Sequence, residues 1–306
     1  MGARRSACHT APAFDETAMP TPDTVYACLD GLNTTAAVVE GACWAAQRLS
    51  APLTLLHTLE RPEPTPPVGD YSGVLGMGAQ DLLLQRLSAL DEERAQITQQ
   101  AAQRMLDEAR THACEGSVPQ MSTMLRQGDL TDVLLTQEPT ARLFVLGSNR
   151  RPPTVRKLRL DHRIETAVRN LRQPVMVMDA VPFVPPTHFV VAYDGSATAD
   201  AAVQRVAGSP LLRGMPAELV MVGECPARLQ ERLRAAKTLL EDAGFATTTR
   251  TLPGLPEEVV PPLLESLGST LLVLGAYGHS RIRHFIVGST TTALLRLCSV
   301  PVLVLR

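Results

Sequence analysis

The chain has 306 residues, 45% of them hydrophobic, and a formal charge of −2 with acids and bases interspersed. That length suits two domains with separate cores, and the even charge offers neither the basic stripe nucleic acid requires nor a polybasic face for a membrane. No stretch reaches the ~18 uninterrupted apolar residues of a membrane span, which with six scattered cysteines lacking any Cys-x-x-Cys pair reads as a soluble cytoplasmic protein with free thiols.

Residues 1–21 are polar and aperiodic and read as a disordered tail. Residues 24–29 form a short apolar run closed by Asp30-Gly31, and residues 189–193 form another closed by Asp194-Gly195-Ser196. Each is followed by a small-residue helix, 34–49 and 198–206, and then by a second apolar strand, 53–59 and 218–223. The two copies stand 164 residues apart, which marks an internal duplication.

Further along, the offset shrinks. Arg126-Gln127-Gly128 matches Leu252-Pro253-Gly254, Leu143-Phe144-Val145-Leu146-Gly147 matches the run ending at Gly275, and Pro174-Val175-Met176-Val177 matches Pro301-Val302-Leu303-Val304, at offsets of 126 to 128. Copy one therefore carries a surplus, readable as a Pro- and Gly-rich loop over 61–78 and a longer helix over 81–112. That stretch has apolar residues at helical spacing and reads as one long amphipathic helix, with an interrupted helix or a partner-binding coiled coil as the alternatives. The corresponding helix 227–242 of copy two is shorter. Residues 181–186 hold three prolines and read as a stiff linker between a first domain, 22–180, and a second, 187–306.

Each copy alternates strand and helix through five strands, which implies an α/β fold of two doubly wound, parallel five-stranded sheets with helices on both faces. The last strand of each copy, 175–178 and 302–305, is apolar, and an uncovered apolar edge would aggregate. The two domains are therefore expected to pair through these strands as an intramolecular pseudo-dimer.

The richest stretch is 271–306. An apolar strand ends at Gly275, and Gly278, Gly288 and Ser289 follow at the spacing Gly-x2-Gly-x9-Gly-Ser. Glycines let the backbone approach an anion closely, and Gly288, Ser289 and Thr290 open a helix whose free N–H groups and dipole favour phosphate. A Gly-x4-Gly-Lys-[Ser/Thr] loop is excluded, because the only lysines, Lys157 and Lys237, lie beside no such loop. His57, inside an apolar strand, reads as a satisfied structural histidine.

This spacing, between an apolar strand and a terminal Val-Pro-Val-Leu-Val strand, resembles the ATP-binding motif of the universal stress protein family. With the duplicated plan and the strand ending in Asp194-Gly195-Ser196, residues 22–306 look like a tandem member. The resemblance implies an adenine-nucleotide-hydrolase-like, Rossmann-like fold with ATP in the second domain and Mg2+ as an option. It places Ala192, Tyr193 and Asp194 at the nucleoside, Val222 or Gly223 at the base, Gly275 at the ribose, and Gly278, Gly288, Ser289 and Thr290 at the phosphates; His279, read from its place inside the loop, is a candidate to counter phosphate charge. Gly223 departs from the larger apolar residue usual there, and Asp194 has a second reading as the cap of the next helix.

In copy one Arg150 replaces the second glycine, no glycine follows between Gly147 and Pro174, and Asp161 and Glu165 stand where the next helix should begin. Domain one is thus expected to be degenerate, without ATP. From Gly275 to Arg306 there is no Asp or Glu, so the chain reads as a regulatory nucleotide-binding module before a hydrolase. Alternatives are a slow ATP hydrolase or nucleotide-activating enzyme, or a scaffold for a lipid-like ligand. The expected partners are the adenine nucleotide and an unidentified regulatory protein, with a homodimer left open.

Overall fold

The computed structural model describes residues 23–59, 77–113, 118, 120–148, 162–275 and 289–306. The expectations for the polar tail, the Pro-rich segment 61–76, the run Arg150 to Asp161, and the loop holding Gly278, His279 and Gly288 lie outside those residues.

The first repeat comprises β1 (Thr24–Leu29), α1 (Thr35–Leu49), β2 (Leu53–Leu59), α2 (Met77–His112), β3 (Met121–Gln127), α3 (Leu130–Gln137), β4 (Ala141–Ser148), α4 (His162–Asn170) and β5 (Val175–Asp179). The second comprises β6 (His188–Ala192), α5 (Ala197–Gly208), β7 (Ala217–Val222), α6 (Ala227–Asp242), β8 (Thr247–Leu252), α7 (Pro256–Leu267), β9 (Thr270–Gly275), α8 (Ser289–Leu297) and β10 (Val302–Leu305), with a 3-10 turn at Pro210–Leu212.

All ten strands join one sheet in the order β3-β2-β1-β4-β5-β10-β9-β6-β7-β8. Neighbours are parallel within each half. The halves meet where β5 and β10 run antiparallel, with Val302 opposite Val177, Leu303 opposite Met176 and Val304 opposite Val175. The apolar last strands thus cover one another as expected, and the outer edges fall to β3 and β8, whose residues are mostly polar and largely accessible to water.

The inner strands are mostly apolar because both faces of the sheet are covered there. Side chains alternate along each strand, so Val25, Ala27 and Leu29 join one core cluster while Tyr26 and Cys28 join the other. Val38 of α1, Leu106 of α2, Val203 of α5 and Leu240 of α6 fill the first face. Leu134 of α3, Ile164 of α4, Leu264 of α7 and Leu294 of α8 fill the second. Both clusters cross the seam, Met176 sharing one with Leu303 and Val177 the other with Val304, so the two repeats have one continuous core on each face.

The segment between β5 and β6 is pinned. Phe183 packs against Trp44 with ring centroids 6.0 Å apart, and its N–H donates to Glu40 at 3.3 Å. Arg48 lies 5.8 Å from the centre of the Trp44 ring and donates across the seam to the carbonyls of Leu211 and Arg213. His57 donates from Nδ1 to the Leu29 carbonyl at 2.6 Å, the structural role expected of it.

One expectation needs correction. Cys28, Cys225 and Cys298 form no disulfide, but Cys43 of α1 is joined in a disulfide, because spacing along a chain does not show which sulfurs the fold brings together. α2 is one unbroken helix, and among its described side chains those that join the core lie near its C-terminus, Leu106 and Ala109.

Candidate functional site

Open parallel sheets bind ligands where adjacent strands send their chains in opposite directions. In the second repeat that place lies between β9 and β6. From β6 the chain passes through α5 on one face to β7, and from β9 it passes to α8 on the other face and on to β10. Asp194 and Gly275 stand at the two strand ends that flank the crevice, and Val222 and Gly223 end the next strand, β7.

The turn after β6 is built by hydrogen bonds within a few residues. Asp194 accepts the Ser196 N–H through Oδ1 at 2.9 Å. Ser196, not Asp194, caps α5: its Oγ accepts from the Ala199 N–H at 3.2 Å and shares a proton with the Thr198 hydroxyl at 2.8 Å. Asp194 is therefore an exposed carboxylate held in place by a single backbone donor. The capping role read for Asp194 belongs to its neighbour two residues on.

Tyr193 is buried, its N–H donates to the Val220 carbonyl at 2.9 Å, and its hydroxyl donates to Asp200 at 2.6 Å. Arg232 of α6 pairs with the other oxygen of Asp200. Burial first, and then the bond to Asp200, pushes the Tyr193 hydroxyl up to about 12, while the bond to Asp200 raises Arg232 further. This trio ties β6, α5 and α6 together directly behind Asp194, leaving Tyr193 only its carbonyl to offer a ligand. The sequence reading missed it, although Asp200 in the first turn of a small-residue helix was its visible trace.

Gly275 cannot carry a side chain. An ideal Cβ would lie 2.6 Å from the Thr198 carbonyl oxygen and 3.1 Å from the Ala199 nitrogen, because β9 ends against the first turn of α5. Gly223 has φ 98° with open space where a Cβ would stand, so backbone conformation requires glycine there. That accounts for the missing larger residue. Val222 is half-buried and paired with Leu252, Ala192 is half-buried and paired with Leu274, and Thr290 is exposed in the first turn of α8. The structure brings Ala192, Asp194, Val222, Gly223 and Gly275 to one end of adjacent strands.

The first repeat has the same crevice between β1 and β4, flanked by Asp30 and Gly147, but its aspartate is engaged. Asp30 accepts from the Leu32 N–H at 2.9 Å, and the Thr34 hydroxyl lies 3.2 and 3.1 Å from its two oxygens. The Thr35 hydroxyl adds a longer contact at 3.4 Å. One substitution accounts for the difference. Leu32 stands where the second repeat has Ser196, so there is no cap, α1 starts two positions later than α5, and the Thr34 hydroxyl turns to Asp30. Among the described residues, no group of three His, Cys, Asp or Glu side chains is placed to hold a metal, and no helix is long and apolar enough to cross a membrane.

The topology and crevices define a tandem, doubly wound α/β protein with Rossmann-like halves. The model of the Universal stress protein family matches residues 22–179 and 213–306, and the chain belongs to that family in tandem form. It is 30% identical over 285 residues to the universal stress protein Slr1230 of Synechocystis sp., a match that spans 92% of this chain and 99% of that protein. A universal stress protein from Archaeoglobus fulgidus has the same fold with a TM-score of 0.59 at 16% identity, covering 94% of this chain and 97% of its own. A putative universal stress protein from Pseudomonas aeruginosa gives 0.56 at 16% identity, covering 94% of each chain.

Proposed function

We propose that the second domain, residues 187–306, binds an adenine nucleotide, ATP foremost, and that the protein serves as a cytoplasmic regulatory module read by another protein. The observation that carries this reading is Asp194, an exposed carboxylate with one backbone donor, beside a strand end, Gly275, that admits no side chain. A carboxylate so placed accepts from a nucleoside hydroxyl or amine, with the carbonyls of Ala192 and Tyr193 beside it and the backbone of Val222 and Gly223 toward the base. The phosphates fall to Gly278, His279, Gly288, Ser289 and Thr290 by the spacing of the motif. Mg2+, where it accompanies ATP, would be held by phosphate oxygens and Ser289.

Domain one, residues 22–180, keeps the fold and the seam without the nucleotide. Its aspartate is engaged by Thr34, and its loop after Gly147 lacks the glycines. Turnover is disfavoured because no Asp or Glu lies between Gly275 and Arg306 to act as base or metal ligand. Native mass spectrometry of the purified chain, with calorimetric titration of ATP, tests the reading. One adenine nucleotide per chain supports it; a folded chain with no affinity for ATP, ADP or AMP overturns it.

A further inference from the structure

Every residue of α2 from Gln85 to Ala101 is exposed, 17 residues in all, a rod of ~25 Å with no covering neighbour among the described residues. On it Leu87, Leu90, Arg94, Ile97 and Ala101 recur at alternating spacings of three and four, the a and d positions of a heptad seam. Leu90 and Ile97 are each 60% exposed.

This stripe does not continue the core face. Leu106, Ala109 and Ala113 join the core against the sheet, and Ala102 is buried on the same side; at ~100° per residue the exposed stripe lies about 110° around the helix from them. Extending the core-facing stripe backward reaches Gln99, Ala95, Glu92 and Ser88, which are polar or small. The helix thus has two seams, one facing its own domain and one facing away.

We propose that the outward seam pairs with α2 of a second copy of this chain, as a short parallel coiled coil. Charge selects that partner and direction. With Leu87 and Arg94 at a, Arg86 and Glu93 fall at g and Asp91 at e. In parallel pairing each Arg86 faces the partner's Asp91; the two Arg94 side chains share one layer, where their mutual repulsion is offset by the partner's Glu93 beside each of them. Antiparallel pairing brings Asp91 toward Asp91 and Glu93 toward Glu93, both repulsive. Arg94 at an a position weakens the coil but fixes its register. So short a coil associates weakly and reversibly.

Sedimentation velocity of the full chain over a wide concentration range tests this, without nucleotide. A monomer–dimer equilibrium is expected, with Leu90→Asp or Ile97→Asp weakening it roughly tenfold or more by placing a charge in the seam. Unchanged circular dichroism and melting temperature confirm the fold, since both side chains are exposed. Arg86→Glu and Asp91→Lys should each weaken the dimer, and the double variant should restore it. Oxidation of Ile97→Cys should cross-link two copies, because parallel pairing sets the two positions in one layer. A monomer at every concentration, a dimer indifferent to Leu90→Asp and Ile97→Asp, or a dimer that Ile97→Cys fails to cross-link overturns the proposal.

Discussion

The hydroxyl of Thr34 occupies the corner into which a side chain on Gly147 would point, an ideal Cβ there falling 2.1 Å from its Oγ. The equivalent corner of the second repeat is closed by backbone instead, since the Cβ of Gly275 would meet the carbonyl of Thr198. The two repeats share the glycine and the threonine but not the threonine's orientation. Ser196 holds the hydroxyl of Thr198 at the helix cap, whereas Leu32 leaves that of Thr34 to Asp30.

Leu32→Ser should therefore stabilise the protein. It supplies the acceptor that α1 lacks and removes a leucine that is 60% exposed, and a serine cap contributes ~1 kcal/mol. Urea denaturation checks this. No second nucleotide site should appear in an ATP titration of the variant, because the glycines after Gly147 remain absent.

Ser196→Ala and Asp194→Ala should separate cap from ligand. Loss of the cap at Ser196 is expected to cost ~1 kcal/mol of stability, with ATP affinity lowered only through a loosened first turn of α5. Asp194→Ala removes a single turn hydrogen bond at an exposed position, so stability should fall less while affinity falls more. Parallel denaturation and calorimetry on the two variants read out both quantities. The reverse ranking would return Asp194 to a structural role.

The inner strands and the seam between β5 and β10 were legible in the sequence because each of those strands is a largely apolar run bounded by Asp-Gly, Gly or Pro, and because the repeat shows the pattern twice. Placing Asp194 and Gly275 at one crevice followed from the same regularity. The cap was ambiguous because Asp194 and Ser196 are both good cap types two residues apart, and only the hydrogen bonds distinguish them. The left-handed backbone at Gly223 and the long-range trio of Tyr193, Asp200 and Arg232 left no periodic trace. For α2, periodicity gave the helix but not the length of sheet available to cover it.

The Tyr193 hydroxyl makes stability depend on alkaline pH. Its ionisation is raised in the folded state to about 12 from the ordinary value of 10.0. The contribution is thus fully present below pH 10 and lost as pH rises toward 12, where the unfolded chain ionises first. Tyr193→Phe should lower stability at neutral pH by ~1 kcal/mol, the net value of one hydrogen bond. Its deficit relative to the natural protein should shrink between those two pH values. Denaturant midpoints at pH 8 and pH 11 measure the trend; a deficit that grows with pH would contradict the assigned donor role of the hydroxyl.

Asymmetry between the repeats gives the sharpest test of the proposed function. Gly288→Asp places a carboxylate where the motif brings phosphate to the start of α8, so ATP affinity should be abolished while the melting temperature of the unliganded chain is unchanged. If only the second domain binds, this one substitution removes all binding, and titration of the natural chain with a labelled ATP analogue gives one site. Arg150→Gly, in the first domain, should leave that stoichiometry at one, because Asp30 remains engaged by Thr34 and no glycine follows before Pro174. Two equivalent sites in the natural chain, or binding that survives Gly288→Asp, would place a nucleotide in the first crevice despite the hydrogen bonds that engage its aspartate.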